Sequence, residues 1–177
     1  FSLGWEARLA DPLASWCELR LGRTIRIPMS PADVPVLIEV IKQTNQLTGL
    51  FMQGKYGRGG FQKVIEQPGL SEIQDLRVGQ LSLTEAKSLS EATHLTKVRT
   101  LDLERGRFDA RVVPLLEAST HLHQIETLRL AHCKKLGDEG FKALAQLTRF
   151  PQLKVLDLSA TQSNDEGVAA LFAGQAF

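Results

Sequence analysis

One spacing dominates this sequence. The pattern apolar-x-x-apolar-x-apolar returns at Leu47/Leu50/Met52, Ile73/Leu76/Val78, Val98/Leu101/Leu103, Ile125/Leu128/Leu130 and Leu153/Leu156/Leu158, at intervals of 26, 25, 27 and 28 residues. A weaker copy starts at Gly22 with Ile25 and Ile27, 25 residues before Leu47, which makes six units. A second apolar column, Leu70, Leu95, Leu122 and Phe150, precedes the later starts by three residues, so more than one position keeps the register. Self-similarity at such a period marks an array whose units bury their apolar faces only by stacking on one another, which sets aside closed globular folds.

Inside each unit the period changes. Segments such as Thr100-Leu101-Asp102-Leu103 alternate, as a strand buried on one face does. Eight residues past the second apolar position a helix-capping residue type recurs, at Asp33, Thr84, Asp109 and Asn164; in the fifth unit it comes two residues later, at Asp138. Side-chain oxygens of this kind accept hydrogen bonds from the free N–H groups of a helix's first turn, so a helix is predicted after each strand. The second unit has Arg58 there instead, and Gly57, Gly59 and Gly60 predict a longer, irregular turn before the helical face of Phe61, Val64 and Ile65. Pro35 and Pro114 fall near helix starts, and the helix of the fourth unit is expected to be short or bent. Stacked strand–helix units give an α/β fold: a right-handed solenoid, shaped like a horseshoe, with a parallel sheet on the concave face and helices on the convex face. Residues 1–21 lack the repeat. Their Trp5, Leu9, Leu13, Trp16 and Cys17, behind Asp11-Pro12, predict an N-terminal helical cap ahead of a repeat domain at 22–177. No polar cap follows the sixth unit, so further repeats or another subunit are expected to cover that end.

These units resemble leucine-rich repeats, and more specifically the ribonuclease-inhibitor-like subclass, over residues 22–177. The best copies are Ile125–Gln152, with Leu128-Arg-Leu-Ala-His-Cys133 and Gly137-Asp-Glu-Gly140, and Leu153–Phe177, with Leu156-Asp-Leu-Ser159 and Asn164-Asp-Glu-Gly167. Repeats of that family carry Asn or Cys three residues after the last strand leucine. Only Cys133 fits here; Ser30, Lys55, Leu81, Gly106 and Thr161 hold the matching places, so the turns are expected to be irregular. The resemblance implies an interaction scaffold with a protein partner and no enzymatic activity of its own. Two alternatives stay open: a regulator that inhibits or activates a partner enzyme, as ribonuclease inhibitor and the Ran GTPase-activating protein do, with Arg58 the first arginine to test; and a structural arm of a larger protein.

Alternation along the strands places the residue between the two strand apolars of each unit on the concave face, with the residues two positions before and after it, such as Asp75 and Gly79, alongside. That strip reads Arg26, Phe51, Arg77, Asp102, Arg129 and Asp157, and these are the predicted partner-binding residues. Arg26, Phe51 and Arg77 form its strongest part, since arginine and aromatic side chains are enriched among interface hot spots. Other chemistry finds little support. Twenty-one Lys plus Arg against 20 Asp plus Glu leaves +1, without the basic excess of a nucleic-acid binder. No apolar run approaches the roughly 20 residues of a membrane span. Two cysteines do not make a disulfide scaffold, and a cytoplasmic location is expected. His121-x-His123 and His132-Cys133 lack the ligand spacing of a zinc site, so no metal is predicted. Gly54–Gly60 lacks the Gly-Lys-Ser/Thr ending of a phosphate loop and reads as a turn. The Asp-Glu pairs at 138–139 and 165–166 recur at one repeat position, which favours helix-start roles over catalysis. No nucleophile motif is present, and no cofactor is called for.

Overall fold

The computed structural model describes residues 18–20, 24–43 and 47–174. Among them seven strands form one sheet in chain order: β1 (Glu18–Arg20), β2 (Thr24–Met29), β3 (Gly49–Gly54), β4 (Asp75–Gly79), β5 (Thr100–Asp102), β6 (Thr127–Arg129) and β7 (Val155–Asp157). From β2 onward the strands are parallel and a helix follows each: α1 (Val34–Gln43), α2 (Gly60–Ile65), α3 (Leu83–Glu91), α4 (Val112–Ala118), α5 (Gly137–Leu144) and α6 (Asp165–Ala173). Strand order equals chain order, so each unit packs only on its neighbours and the sheet stays open. Of the helical cap expected over 1–21, residues 1–17 and 21 lie outside the described residues. Residues 18–20 are a strand and not a helix, pairing antiparallel with β2 through Leu19 opposite Ile25.

The register is that of the sequence repeat. Ile25, Leu50, Leu76, Leu101, Leu128 and Leu156 stand side by side across the sheet. The first five are buried, as are the start column Leu47, Ile73, Val98 and Ile125 and the column Leu70, Leu95, Leu122 and Phe150. Just ahead of each strand, one carbonyl accepts two N–H groups of the next unit: Thr48 from Gln74 and Asp75, Gln74 from Arg99 and Thr100, Arg99 from Glu126 and Thr127, and Glu126 from Lys154 and Val155. Past each of β4 to β7 the chain turns through a left-handed residue, at Gln80, Arg105, His132 and Ala160, with φ between 53° and 61°. Three of these turns aim their N–H at the following unit, where Glu104, Ala131 and Ser159 accept. From β4 to β7, backbone bonds thus join neighbouring units at both ends of the strands.

Helix starts depart from the predicted caps in several units. Asn164 caps α6 as expected, accepting from the N–H groups of Glu166 and Gly167. In the third unit the cap is Ser82 and not Thr84. Ser82 forms a reciprocal box with Glu85, which satisfies two backbone donors where Thr84 could satisfy one. Asp109 stands ahead of α4 and accepts the Arg111 N–H, while Asp33 turns back to accept the Ser30 N–H. Asp138 does not cap α5. Gly137, with φ 55°, already starts that helix, and the Asp138 carboxylate accepts instead from Ser163 Oγ and Asn164 N–H of the next unit. The second unit has the irregular turn predicted for it, with Gly57 and Gly59 both at φ 69°. α4 is short, seven residues with Pro114 at its third position.

The degenerate turn column is filled in different ways. Cys133 Sγ lies 3.4 Å from the Leu103 carbonyl and 3.7 Å from that of Ala131. In the second unit the neighbouring Tyr56 replaces it, its hydroxyl donating to the carbonyls of Met52 (3.2 Å) and Gly79 (3.3 Å). In the fourth the ring of Phe108 occupies the space beside Gly106. Thr161 donates its hydroxyl to the Leu158 carbonyl at 2.6 Å.

Candidate functional site

With the leucines of each strand in the core, the residue after each one faces the opposite side of the sheet. The pairing sets Arg26, Phe51, Arg77, Asp102, Arg129 and Asp157 in one row. The Arg26 side chain lies outside the described residues, and only its place in the row is known.

The adjacent pair forms a cluster. The Arg77 guanidinium carbon lies 4.5 Å from the centre of the half-buried Phe51 ring. Arg77 Nε and Nη2 each donate to one oxygen of Asp75, at 3.1 Å, in a bidentate pair about one third exposed on both sides. Stacking of this kind at an accessible site contributes about 0.5–1 kcal/mol, and a half-exposed ion pair about 0–1 kcal/mol. These energies matter little for stability, but the contacts hold the guanidinium and the ring in one arrangement. Asp75 was not among the predicted site residues. Its signal was the Asp-x-Arg spacing, since residues two apart on a strand share a face. Tyr56 does not cover Phe51: it is buried in the core, edge-on to Phe61 with ring centres 5.3 Å apart.

The second half of the row is quieter. Asp102 is only 8% exposed, and its carboxylate accepts the Glu104 N–H at 3.0 Å while Arg129 reaches to 3.7 Å from the neighbouring strand. Asp102 therefore braces a turn as much as it faces solvent. Asp157 repeats that role: hydrogen bonds from Ser159, side chain and backbone, hold its carboxyl below the usual range. Alongside the strand starts, Glu126 joins Arg99 and Lys154, both at 2.7 Å, across three consecutive units. Spacing within one unit gave no hint of that bridge.

The remaining chemistry is structural. Burial pushes the Cys133 thiol up to about 11, so at neutral pH it is an uncharged core group. His121 is buried, with Nε2 3.3 Å from the Leu89 carbonyl. Among the described residues no group of His, Cys, Asp and Glu is placed to hold a metal ion, and no helix is long and apolar enough to cross a membrane. An open depression of about 640 Å³ lies by the turns before α4, α5 and α6. Four of its charges form ion pairs, Arg111 with Asp109 and Lys142 with Glu139.

Residues 120–145 match the sequence model of the Leucine Rich repeat family. They run through β6 and its helix, the unit whose pattern is most regular. The fold is a leucine-rich-repeat solenoid. Proteins built from leucine-rich repeats generally mediate protein–protein interaction. No curated protein matches the chain in sequence. Among solved structures, an internalin from Listeria monocytogenes aligns with 84% of this chain and 51% of its own, at 14% identity and a TM-score of 0.37. The chain spans about half the length of that structure.

Proposed function

We propose that this leucine-rich-repeat solenoid is a non-enzymatic protein-binding module that takes its partner on the concave strip, centred on Phe51 and Arg77. One observation carries this reading: an aromatic ring and an arginine lie on the sheet face opposite the core leucines, stacked on each other, with the arginine clamped by Asp75. Arginine and aromatic side chains dominate interface energetics, and side chains already held in place lose less freedom on binding. The helices after the strands support placement in the ribonuclease-inhibitor-like subclass. The free, buried Cys133 fits a reducing compartment such as the cytoplasm.

The test starts with affinity capture on the immobilised chain, with the captured protein identified by mass spectrometry and its Kd measured. The double variant Phe51→Ala/Arg77→Glu is compared with a convex control, Lys87→Glu. Truncating one hot-spot residue costs about 2 kcal/mol or more, roughly 30-fold in Kd. A loss of that size in the concave variant alone supports the reading. Equal Kd values for the chain and the double variant overturn it.

A further inference from the structure

We propose that the rim formed by the strand-to-helix turns binds an extended acidic polypeptide segment, whose carboxylates meet Lys55 and Arg58 at one end and Arg107, Lys134 and Lys135 at the other. This surface shares no residue with the concave strip, and the proposal stands independently of the reading given above.

The chain as a whole is nearly neutral, yet its two rims differ. The turns from β3 to α2, β5 to α4 and β6 to α5 carry seven Lys and Arg residues against two acidic ones, Glu104 and Asp109. Those two are taken: Arg105 lies 3.2 Å from Glu104, and Arg111 lies 2.8 Å from Asp109. Lys55, Arg58, Arg107, Lys134 and Lys135 are exposed, and none of them meets a carboxylate among the described residues. On the opposite rim, Lys97, Arg99 and Lys154 each reach Glu72 or Glu126 at 2.6–2.7 Å. One rim thus neutralises itself, while the other sets like charges side by side. Arg107 and Lys134 even hold the same register position in adjacent units, where their charges repel. Packing does not require them there, since all five side chains are exposed.

Arg107 is held ready for a carboxylate. Its N–H donates to the Leu81 carbonyl at 2.7 Å and its Nε to that of Gln80 at 3.2 Å, which draws the guanidinium toward the third unit, whose own turn has no cation. Both Nη groups are left for a partner. A guanidinium fork fixed from behind gives up little freedom when it takes a carboxylate. The acidic residue at the start of α3, Glu85, is engaged by Ser82 and does not block the path. On the convex side the basic stretch ends at Lys135, where Asp138, Glu139 and Glu166 line the depression beyond it.

The dimensions and the lack of exposed rings select a polypeptide. From β3 to β6 there are three strand spacings, about 14 Å, which an extended segment of about five residues covers. Tyr56 and Phe108, the Tyr and Phe of these turns, are buried, so no such ring is offered for a nucleic-acid base to stack on. The exposed large apolar residues, Val36, Val155, Val168 and Phe172, all lie outside these turns, so nothing here would enter a bilayer surface.

The probe is a fluorescently labelled oligo-glutamate peptide of about ten residues, long enough to cross the rim. It is titrated with the full chain at low ionic strength and read by anisotropy, and its position is read from backbone amide NMR shifts. Saturable binding that weakens with added salt is expected, with shifts at Arg58, Arg107 and Lys134. Lys134→Glu/Lys135→Glu should weaken it about tenfold. Lys63→Glu/Lys87→Glu makes the same change of net charge on the convex helices and should leave most of the binding in place; circular dichroism checks that both variants are folded. Equal losses in the two variants would reduce the effect to net charge and overturn the proposal. Absence of saturable binding overturns it too, as do shifts confined to the concave strands. So does displacement of the probe by oligouridylate of equal charge at a lower concentration than by unlabelled peptide, which would assign the rim to nucleic acid.

Discussion

Adding one methyl group at Gly106 tests how the turn of the fourth unit is built. A Cβ placed there would lie 2.1 Å from Phe108 Cε1 and 2.3 Å from Cζ, and Phe108 is 1% exposed among core residues. Neither ring nor backbone has free space, so Gly106→Ala forces an off-rotamer ring or a backbone shift, at a cost of about 1–3 kcal/mol. Phe108→Ala alone leaves a cavity and costs about 3–5 kcal/mol. The atoms a new Cβ would meet first all belong to the Phe108 ring. With that ring gone, Gly106→Ala should be close to neutral, or stabilise by about 0.5 kcal/mol through the unfolded chain. The double-mutant cycle should therefore show a favourable coupling of about 1–3 kcal/mol between neighbours in contact. Urea unfolding of the four proteins with unchanged m-values measures it, and in a chain of this size a loss of about 2 kcal/mol lowers Tm by roughly 4–8 °C. If Gly106→Ala costs the same with and without the ring, the steric account of this position is wrong.

Three further outcomes are expected. Arg105→Gly should raise stability by about 0.5–1 kcal/mol in urea: left-handed backbone costs a non-glycine residue about 1–2 kcal/mol, and glycine's extra chain entropy returns only part of that gain; a lower urea midpoint would contradict the strain. Tyr56→Phe should cost about 1–2 kcal/mol, because the hydroxyl serves the carbonyls of two units, and a neutral result would mean that it bridges nothing. Burial holds the pKa values of His94 and His121 below their ordinary 6.5, and His94 Nε2 is buried without a hydrogen-bond partner. Below about pH 6.5 the unfolded chain then binds more protons than the folded one, so Tm should be level above that pH and fall as pH drops through it. Glu126, held low first by its Lys154 hydrogen bond, contributes a separate loss only once the pH falls through the carboxylate range. His94→Asn/His121→Gln should flatten the slope between pH 6.5 and 5, and a Tm that rises on acidification would refute the sign.

What could be read in the sequence follows from where each constraint resides. Leu50, Leu76, Leu101 and Leu128 must be buried in the same column, so their spacing records the fold, and the alternation beside them records the concave row. Capping is less legible because several short polar residues compete near each helix start. A fixed offset selects Thr84, although Glu85 three residues after Ser82 already spelled out the box. β1 has three residues and no alternation, so nothing announced it. The left-handed turns were hidden for a deeper reason. Gln80, Arg105, His132 and Ala160 share no side-chain chemistry; they share the task of turning an N–H toward the next unit, and three of them show its bond. The same holds for Asp138, whose carboxylate serves Ser163 and Asn164 across a boundary instead of its own helix. In a stacked array, packing within a unit is written in periodic apolar residues, whereas bonds between units depend on which residues two different turns bring together. Residues at equal repeat positions can therefore differ in role while the backbone repeats. Arg129 stands between Asp102 and Asp157 in the row but comes within 3.7 Å of Asp102, a distinction that only the paired strands reveal.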